Sequence, residues 1–317
     1  MTDPRPEVSV VIPTRNRETR LAFALDALAE QTLDRDRFEV VVVRAPDGPG
    51  PLTDAPAGIA VRFLTAAIAG PAVQRNVGWR ASAAPVIAFT DDDCRPAVDW
   101  LERLLDSLAG EETILQGRTE PDPDERHLWW GLSRSWEITG ETEWYATCNV
   151  AYPRAMLESL DGFDERFPAA WGEDTDLGLR ARELGAGLRY VDDALVWHAV
   201  LPRSLPAAVR EARRREATVT VIARHPAYRS ELYHRYFAHE RHAKLILALG
   251  GALVFRRRPL LAAGAALPYL HASIDWRNLT PRGVLRRILH LPARVVVDVA
   301  ETAITARAAI RNRVALL

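Results

Sequence analysis

The first 200 residues alternate between short apolar runs and stretches whose apolar side chains have helical spacing. Val8 to Ile12 and Phe38 to Val43 are apolar runs of the kind found in strands that are covered on both faces. Between them, Leu21, Leu25 and Leu28 recur at i, i+4 and i+7, which predicts a helix that packs one face on the sheet. A strand, a helix and a strand in this order favour a right-handed crossover within a parallel sheet.

The same alternation continues to about residue 200. Asn16 is the predicted N-cap of the first helix. Pro85 to Thr90 is a continuous apolar run and is the predicted central strand. The other predicted strands are Val61 to Leu64, Ile114 to Gln116, Leu188 to Val191 and Leu195 to Trp197. The other predicted helices are Pro71 to Ala81, Val98 to Leu108 with its end at Gly110, Pro153 to Leu160, and one that starts near Asp174 and ends at Gly185; Pro46 to Pro56 is predicted as a loop.

Beyond Pro202 helices dominate the pattern, including Leu205 to Ala223 and Arg229 to Leu249. Two further apolar segments, Leu245 to Phe255 and Leu260 to Leu270, are separated by three arginines and a proline. Each segment has about half of the ~20 residues that a membrane span requires. They are therefore either core helices or elements that lie in a membrane interface beside a basic patch.

Composition places the chain among globular proteins, because 317 residues with 48% hydrophobic content can bury one large core or two modest ones. The two cysteines, Cys94 and Cys148, argue against a disulfide framework, and residues 1–7 are polar. These features lead us to expect a cytoplasmic protein.

Charge divides the chain into two unequal parts. Residues 1–200 hold 20 Arg and 35 acidic residues, a net charge of −15, whereas residues 201–317 hold 20 Arg and one Lys against 7 acidic residues, a net charge of +14. An asymmetry of this size indicates that the second part faces something anionic, such as a membrane surface or the acidic part of the same molecule. The dominance of arginine over lysine is equally consistent with genomic base composition alone.

Two acidic clusters carry the candidate chemistry. Asp91, Asp92 and Asp93 follow the predicted central strand, at the edge of an open sheet where ligands bind. Crowded carboxylates repel one another, so such a triplet usually needs a cation. Glu173 and Asp174 lie at the predicted start of a helix, where the helix dipole also favours negative charge without any catalytic role.

Five segments occur in the order seen in family 2 glycosyltransferases of the GT-A fold, and the chain resembles that family over about residues 7–200. These segments are Val8 to Arg17, Gln74 to Gly78, Phe89 to Asp93, Gly162 to Glu165 and Gly172 to Leu177. The resemblance implies an α/β fold of GT-A type, a mainly parallel, Rossmann-like sheet flanked by helices. It further implies a catalytic domain over residues 1–200, followed by a mainly helical, Arg-rich region over residues 201–317.

The resemblance also implies a metal site and a catalytic base. Asp91 and Asp93 match the ends of the family's Asp-x-Asp motif, and His198 matches a third ligand, so that Mn²⁺ or Mg²⁺ would neutralise a leaving diphosphate. Asp174 matches the general base of inverting members, and Glu173 would orient substrate hydroxyls. An isolated histidine is more often structural, and only the two acidic motifs favour the ligand reading of His198.

Nucleotide binding is assigned to the loop after the first strand and to the start of the second helix. The residues concerned are Pro13, Thr14, Arg15, Asp47, Arg75, Asn76, Asp91 and Asp92. Family members often carry Asp-Asp-Gly-Ser after the second strand, whereas this chain has Arg-Ala-Pro-Asp-Gly over residues 44–48. Asp47 either contacts the nucleobase from a shifted position or makes no such contact, so the nucleobase is left open.

A tryptophan-rich segment, His127 to Trp144, either fills a core or closes a sugar-binding pocket. Its tryptophans are Trp129, Trp130, Trp136 and Trp144. Trp144, Asn149 and Trp171 are assigned to the acceptor side of the site.

The expected function is transfer of a sugar, of hexosyl type, from a nucleotide-diphosphate sugar to the hydroxyl of a saccharide, a lipid-linked glycan or a small molecule. Two alternatives stay open: a sugar-phosphate nucleotidyltransferase, which leaves the Glu173-Asp174 cluster without a role, and a non-catalytic relative that binds nucleotide or anionic lipid. Peripheral contact with an anionic membrane is a separate expectation, and no nucleic-acid partner is expected. No residue indicates the oligomeric state.

Overall fold

The computed structural model describes residues 5–48, 56–108, 112–129, 131–167, 169–274 and 281–316, with the backbone alone at 281–284, 286 and 287. The chain divides into two compact units. The first contains residues up to Arg126 together with Ser135–Val200, and the second contains His127–Arg134 and residues from Leu201 onward. The segment 127–134, which the sequence places in the catalytic domain, therefore belongs to the second unit.

A single sheet forms the centre of the first unit. Its described strands are β1 Val8–Thr14, β2 Phe38–Arg44, β3 Val61–Thr65, β4 Val86–Phe89, β5 Cys94–Pro96, β6 Thr113–Pro121, β7 Val150–Pro153 and β8 Gly187–His198. They are arranged in the order β3-β2-β1-β4-β7-β6-β8-β5. β1 to β4 pair in parallel, as do β6 and β8, whereas β7 is antiparallel to both of its neighbours and β5 is antiparallel to β8.

Helices cover the sheet because each presents an apolar face. The helices of this unit are α1 Glu18–Ala29, α2 Pro71–Ala81, α3 Trp100–Asp106, α4 Arg154–Ser159 and α5 Glu173–Glu183. Leu21, Leu25 and Leu28 of α1 are buried, as their spacing predicted, and β1 is buried along its whole length. A mostly parallel sheet flanked by helices confirms the predicted fold class.

Several local predictions are wrong at the ends of elements. Asn16 does not cap α1, since Arg17 occupies that position and Asn16 has a positive φ of 56°. The two strands predicted around Leu188 and Leu195 form one strand, β8, in which the stretch with the exposed pair Asp192 and Asp193 interrupts both the apolar pattern and the register with β6. A register shift between Gly117 and Thr119 on β6 accommodates this stretch. Gly110, Trp130 and most of the loop 46–56 lie outside the described residues.

The second unit is helical. Its α-helices are α6 Leu205–Glu211, α7 Arg215–Arg224, α8 Glu240–Leu253, α9 Pro259–Ser273 and α10 Pro281–Asn312, with 3₁₀ turns at Ala212–Arg214 and Pro226–Glu231. The continuous helix predicted from Arg229 to Leu249 is wrong, because Tyr233 and Phe237 form a bridge around a turn with positive φ at His234 and Arg235. Among the residues that the structure describes, none belongs to a helix with the length and apolarity needed to cross a bilayer.

Candidate active site

The loops that follow β1 and β4 meet at the carboxyl edge of the sheet. β1 and β4 are parallel neighbours with Val11 opposite Phe89, so the residues after each strand emerge side by side. The Thr14 hydroxyl donates to Asp92 Oδ2 at 2.8 Å. Arg17 Nη1 donates to Asp92 Oδ1 at 3.0 Å and to Asp93 Oδ2 at 2.6 Å. The acidic triplet is thus held by side chains of the first loop.

Asp93 also faces His198 at the end of β8. β5 pairs with β8 so that Cys94 lies opposite His198, and this brings Asp93 Oδ1 to 3.7 Å from His198 Nε2. His198 Nδ1 lies 2.8 Å from the carbonyl oxygen of Ala199, and because a carbonyl oxygen only accepts, this contact suits the tautomer with the proton on Nδ1 and leaves Nε2 facing Asp93.

A carboxylate and an imidazole with a free lone pair are a donor set that suits a divalent cation. The potential ligand atoms of Asp93, Cys94 and His198 lie within 4.8 Å of one another. Burial raises the pKa of the Cys94 thiol well above its usual value, which disfavours the thiolate form that a metal ligand needs. Asp91 is not a member of this group, and its assignment as a metal ligand stays a prediction.

Arg75 joins the two acidic clusters. Its Nη2 donates to Asp91 Oδ1 at 2.8 Å and its Nη1 donates to Glu173 Oε1 at 2.8 Å. Burial alone would lower the pKa of Arg75, but the charges of Asp91 and Glu173 outweigh it and raise that pKa, so the guanidinium stays charged. The carboxylates that follow β4 and those that begin α5 therefore face one site.

Asp174 is the carboxylate of α5 whose ionisation is most perturbed. Burial, followed by the adjacent charge of Glu173, raises the pKa of Asp174 to about 7. Glu173 is itself anchored, because its Oε2 accepts a hydrogen bond from the Trp171 amide at 2.7 Å. A carboxylate with a pKa near neutrality can accept a proton at physiological pH more readily than an ordinary aspartate.

An aromatic cluster lies beside the start of α5. The Trp136 ring centroid is 5.7 Å from that of Trp144 and 5.7 Å from that of Trp171. The Thr175 hydroxyl donates to the Trp144 carbonyl at 3.1 Å, which ties the cluster to α5. Trp144 remains 40% exposed, so part of the cluster is open to a ligand. Trp129, in contrast, belongs to the second unit.

The residues expected to bind the nucleotide are distributed over the same edge. Pro13 is buried at the end of β1 and Thr14 contacts Asp92. Arg15 and Asp47, which follow β1 and β2, form an ion pair in which both side chains are at least half exposed. This pair lies at the sheet edge, and its role in nucleotide binding stays a prediction.

Two of the expected ligand-binding residues lie in the protein interior, and their assignment stays a prediction that their surroundings do not favour. Asn76 is buried; its amide donates to the Phe163 carbonyl at 2.8 Å and its oxygen accepts from Trp79 Nε1 at 2.9 Å. Asn149 has no exposed surface. Its oxygen accepts from Trp100 Nε1 at 2.9 Å, and its amide donates to the carbonyl oxygens of residues 118 and 194. Neither side chain has a polar atom left for a nucleotide or an acceptor.

Sequence reasoning gave no individual role to two residues of the site, Arg17 and Gln74. Gln74 Nε2 donates to the carbonyl oxygens of Thr14 and Val43, each at 2.8 Å, and so fixes the ends of β1 and β2. Arg17 lies three residues after the end of β1, and its position in the segment Val8 to Arg17 was the signal that could have found it.

Comparison with known proteins gives a consistent result. A family model described as "Glycosyl transferase family 2" matches residues 9–167. Glycosyltransferase AglE from Haloferax volcanii is 27% identical over 219 residues, which cover 64% of this chain and 70% of that protein. Validoxylamine A glucosyltransferase from Streptomyces hygroscopicus subsp. limoneus is 28% identical over 57% of this chain and 49% of its own length. Pre-mycofactocin glycosyltransferase from Mycobacterium tuberculosis is 28% identical over 68% of this chain and 45% of its own length. The chain thus spans most of the first relative but only about half of the other two.

Solved structures share the fold. The mannosyltransferase PcManGT from Pyrobaculum calidifontis, in complex with GDP-Man and Mn²⁺, superposes with a TM-score of 0.57 at 20% identity, covering 98% of this chain and 87% of its own. S. aureus TarS 1-349 in complex with UDP-GlcNAc superposes with a TM-score of 0.51 at 17% identity, covering 97% and 92%. At these identities the likeness shows the fold.

Proposed function

Because the chain belongs to glycosyl transferase family 2, we propose that it moves a sugar from a nucleotide-diphosphate sugar to an acceptor hydroxyl, with inversion and with the help of a divalent cation. The observation that carries the proposal is the Arg75 bridge between Asp91 and Glu173. This bridge supports one site for the carboxylates proposed to act on the donor and those proposed to act on the acceptor. Direct transfer between two bound substrates requires such an arrangement.

Asp93 and His198 are the residues that would hold Mn²⁺ or Mg²⁺. Their facing ligand atoms, with His198 Nδ1 directed at the Ala199 carbonyl oxygen, support this assignment. When bound, such an ion acts as a Lewis acid that neutralises charge developing on a leaving diphosphate. Arg17, which pairs with both Asp92 and Asp93, supplies a further positive charge at the same place.

Asp174 is the proposed general base. Its raised pKa lets it accept the proton of the acceptor hydroxyl as that oxygen attacks the anomeric carbon. Glu173, held by Arg75 and by the Trp171 amide, has its orientation fixed from two sides. A base on the face opposite the diphosphate gives inversion of configuration in a single displacement.

The acceptor is proposed to lie against Trp144 and Trp171, since aromatic faces of this kind pack on sugar rings. A hexosyl donor is part of the proposal. The related structures named above contain GDP-Man and UDP-GlcNAc, which supports a nucleotide-sugar donor without choosing a nucleobase.

The proposal is tested by screening UDP-, GDP-, dTDP- and CDP-sugars with Mn²⁺ or Mg²⁺, first by thermal shift and then by donor turnover. Asp93→Ala should lose the metal-dependent thermal shift with the donor. Asp174→Asn should keep that shift but transfer sugar at least about 100-fold more slowly, since general-base catalysis contributes about 10²–10⁴-fold.

Asp161→Asn serves as the matched control, because the Asp161 side chain is 93% exposed and pairs with Arg80, outside both acidic clusters. It should behave like the parent in both assays. Parent-like transfer by Asp93→Ala or Asp174→Asn would refute the assigned roles. Release of inorganic pyrophosphate from a nucleoside triphosphate would instead indicate a nucleotidyltransferase.

A further inference from the structure

The α8–α9 hairpin of the second unit, residues 240–273, exposes large apolar side chains at its tip. Leu253, the last residue of α8, is 88% exposed, and Leu260, near the start of α9, is 87% exposed. Phe255 in the connecting turn and Leu261 are also more than half exposed. Four large apolar side chains within nine residues form a patch that water solvates poorly.

Positive charge lies within the same tip. Arg256, Arg257 and Arg258 form the turn between the two helices, and all three are exposed. None of them forms an ion pair with a carboxylate in the part of the chain that the structure describes. The sequence holds no Asp or Glu from residue 241 to residue 274, although 7 acidic residues occur in the region 201–317. The tip therefore combines exposed apolar surface with cations that have no carboxylate partner among the described residues.

The hairpin is held as a defined pair of helices rather than as a loose loop. A side chain at Gly251 would meet Ala265 Cβ at 2.6 Å, so the two helices approach closely through this glycine. The base of the hairpin is fixed to α10: Tyr269 donates to Asp298 Oδ2 at 3.0 Å and His242 Nε2 lies 3.1 Å from Glu301 Oε2. The apolar tip is thus presented at a fixed end of a rigid element.

We propose that the α8–α9 hairpin docks on the surface of an anionic lipid bilayer. The exposed leucines and Phe255 enter the boundary between headgroups and acyl chains, while the three arginines pair with the anionic headgroups. A second copy of this chain is a poor partner for the tip. Two tips in contact would bring six arginines together with no carboxylate between them, and their charges would repel. Apolar surface and cations at one tip match the two components of a membrane interface.

Flotation of the protein, residues 1–317, with vesicles of phosphatidylcholine alone, or with 30% phosphatidylglycerol, tests the proposal. Binding should require the anionic lipid and weaken at high salt. The variant Arg256→Gln/Arg257→Gln/Arg258→Gln should bind about 100-fold more weakly, at roughly fivefold per arginine near a charged surface. Arg210→Gln/Arg213→Gln/Arg307→Gln removes the same charge from exposed positions of the same unit outside the hairpin and should lose much less.

The apolar component is tested separately. Leu253→Ser and Leu260→Ser should each weaken binding about tenfold, because each removes a leucine side chain from the inserted surface. Ile310→Ser, at a position that is 80% exposed in the same unit, is the matched control and should bind like the parent. All variants should keep the parent's melting temperature and donor thermal shift, which separates loss of docking from loss of fold or of donor binding.

A direct readout of insertion uses the fact that Cys94 and Cys148 are both buried. Leu253→Cys labelled with an environment-sensitive dye should shift its emission to the blue on anionic vesicles, and Leu184→Cys, exposed in the first unit, should not. The proposal is overturned if the parent stays unbound at low salt, or if the hairpin variants bind as tightly as the parent. It is equally overturned if the protein is an oligomer that Leu253→Ser dissociates, which would identify the tip as a contact between copies.

Discussion

Replacing Arg75 with methionine should destabilise the first unit through the charges it leaves behind. Arg75 and Glu173 are 2% and 1% exposed, and the Asp91 side chain is 25% exposed. Methionine fills a similar volume but leaves Glu173 as a buried carboxylate with no countercharge from α2. Removing one partner of a buried ion pair costs about 3–5 kcal/mol, because the remaining charge stays desolvated.

For a unit of this size each kcal/mol corresponds to about 2–4 °C, so the melting temperature of Arg75→Met should fall by about 6–20 °C. The matched control is Arg80→Met on the same helix, whose ion pair with Asp161 is exposed and should be worth less than about 1 kcal/mol. Denaturant unfolding of parent, control and variant measures the difference in the free energy of unfolding.

Two measurements identify the cause of the lost stability: its dependence on pH and the effect of a second substitution. An unpaired buried carboxylate has a raised pKa in the folded state, so its penalty is present above that pKa and disappears as protonation neutralises it. The deficit of Arg75→Met should therefore be smaller at pH 5 than at pH 8. Arg75→Met/Glu173→Gln should recover part of the stability at pH 8. A loss below about 1 kcal/mol, or a deficit that does not change with pH, would refute the account of the Arg75 bridge.

Three further outcomes are expected. Because the pKa of Asp174 is raised to about 7, kcat/KM should fall as pH decreases through 7 and level off above about 8; a flat profile would contradict its role as base. Asn149→Ala should lower the free energy of unfolding by about 1–3 kcal/mol, since it leaves Trp100 Nε1 and two carbonyl oxygens without their partner, while the KM for the acceptor stays at the parent value. Gly178→Ala should destabilise by about 1–3 kcal/mol or more in urea unfolding, because its Cβ would lie 2.1 Å from the Tyr145 ring, whereas Gly140→Ala, which meets nothing within 4 Å, should be nearly neutral.

The sheet could be predicted wherever a local pattern determines the element. The bounds of α2, Pro71–Ala81, agree with the prediction because a proline start and helical spacing are both local signals. β5 spans three residues, Cys94–Pro96, and forms only because β8 lies beside it. A segment that short carries no periodicity of its own, so tertiary pairing alone could reveal it.

In the candidate site too, some residues could be identified from local sequence, whereas the role of others depends on tertiary packing. Asp93, Asp174 and His198 were selected from motifs, and the structure brings the first and the last within 3.7 Å of each other. Asn76 and Asn149 carry side chains that suit ligands equally well, and only their burial shows that they hold the core. Whether a polar residue faces solvent or another part of the protein depends on how distant segments pack together. A single sequence does not record that packing.

The Arg17 ion pairs affect how readily a metal ion could reach the carboxylates. Arg17 is bonded to Asp93 Oδ2 at 2.6 Å, beside the Oδ1 atom that faces His198, so its positive charge should make the free protein hold the ion more weakly than three adjacent aspartates suggest. The phosphates of a bound donor would bring negative charge to this place and would offset the repulsion between the ion and Arg17. Ion and donor should then each improve the affinity for the other by the same factor, which makes Arg17 a source of cooperativity between them.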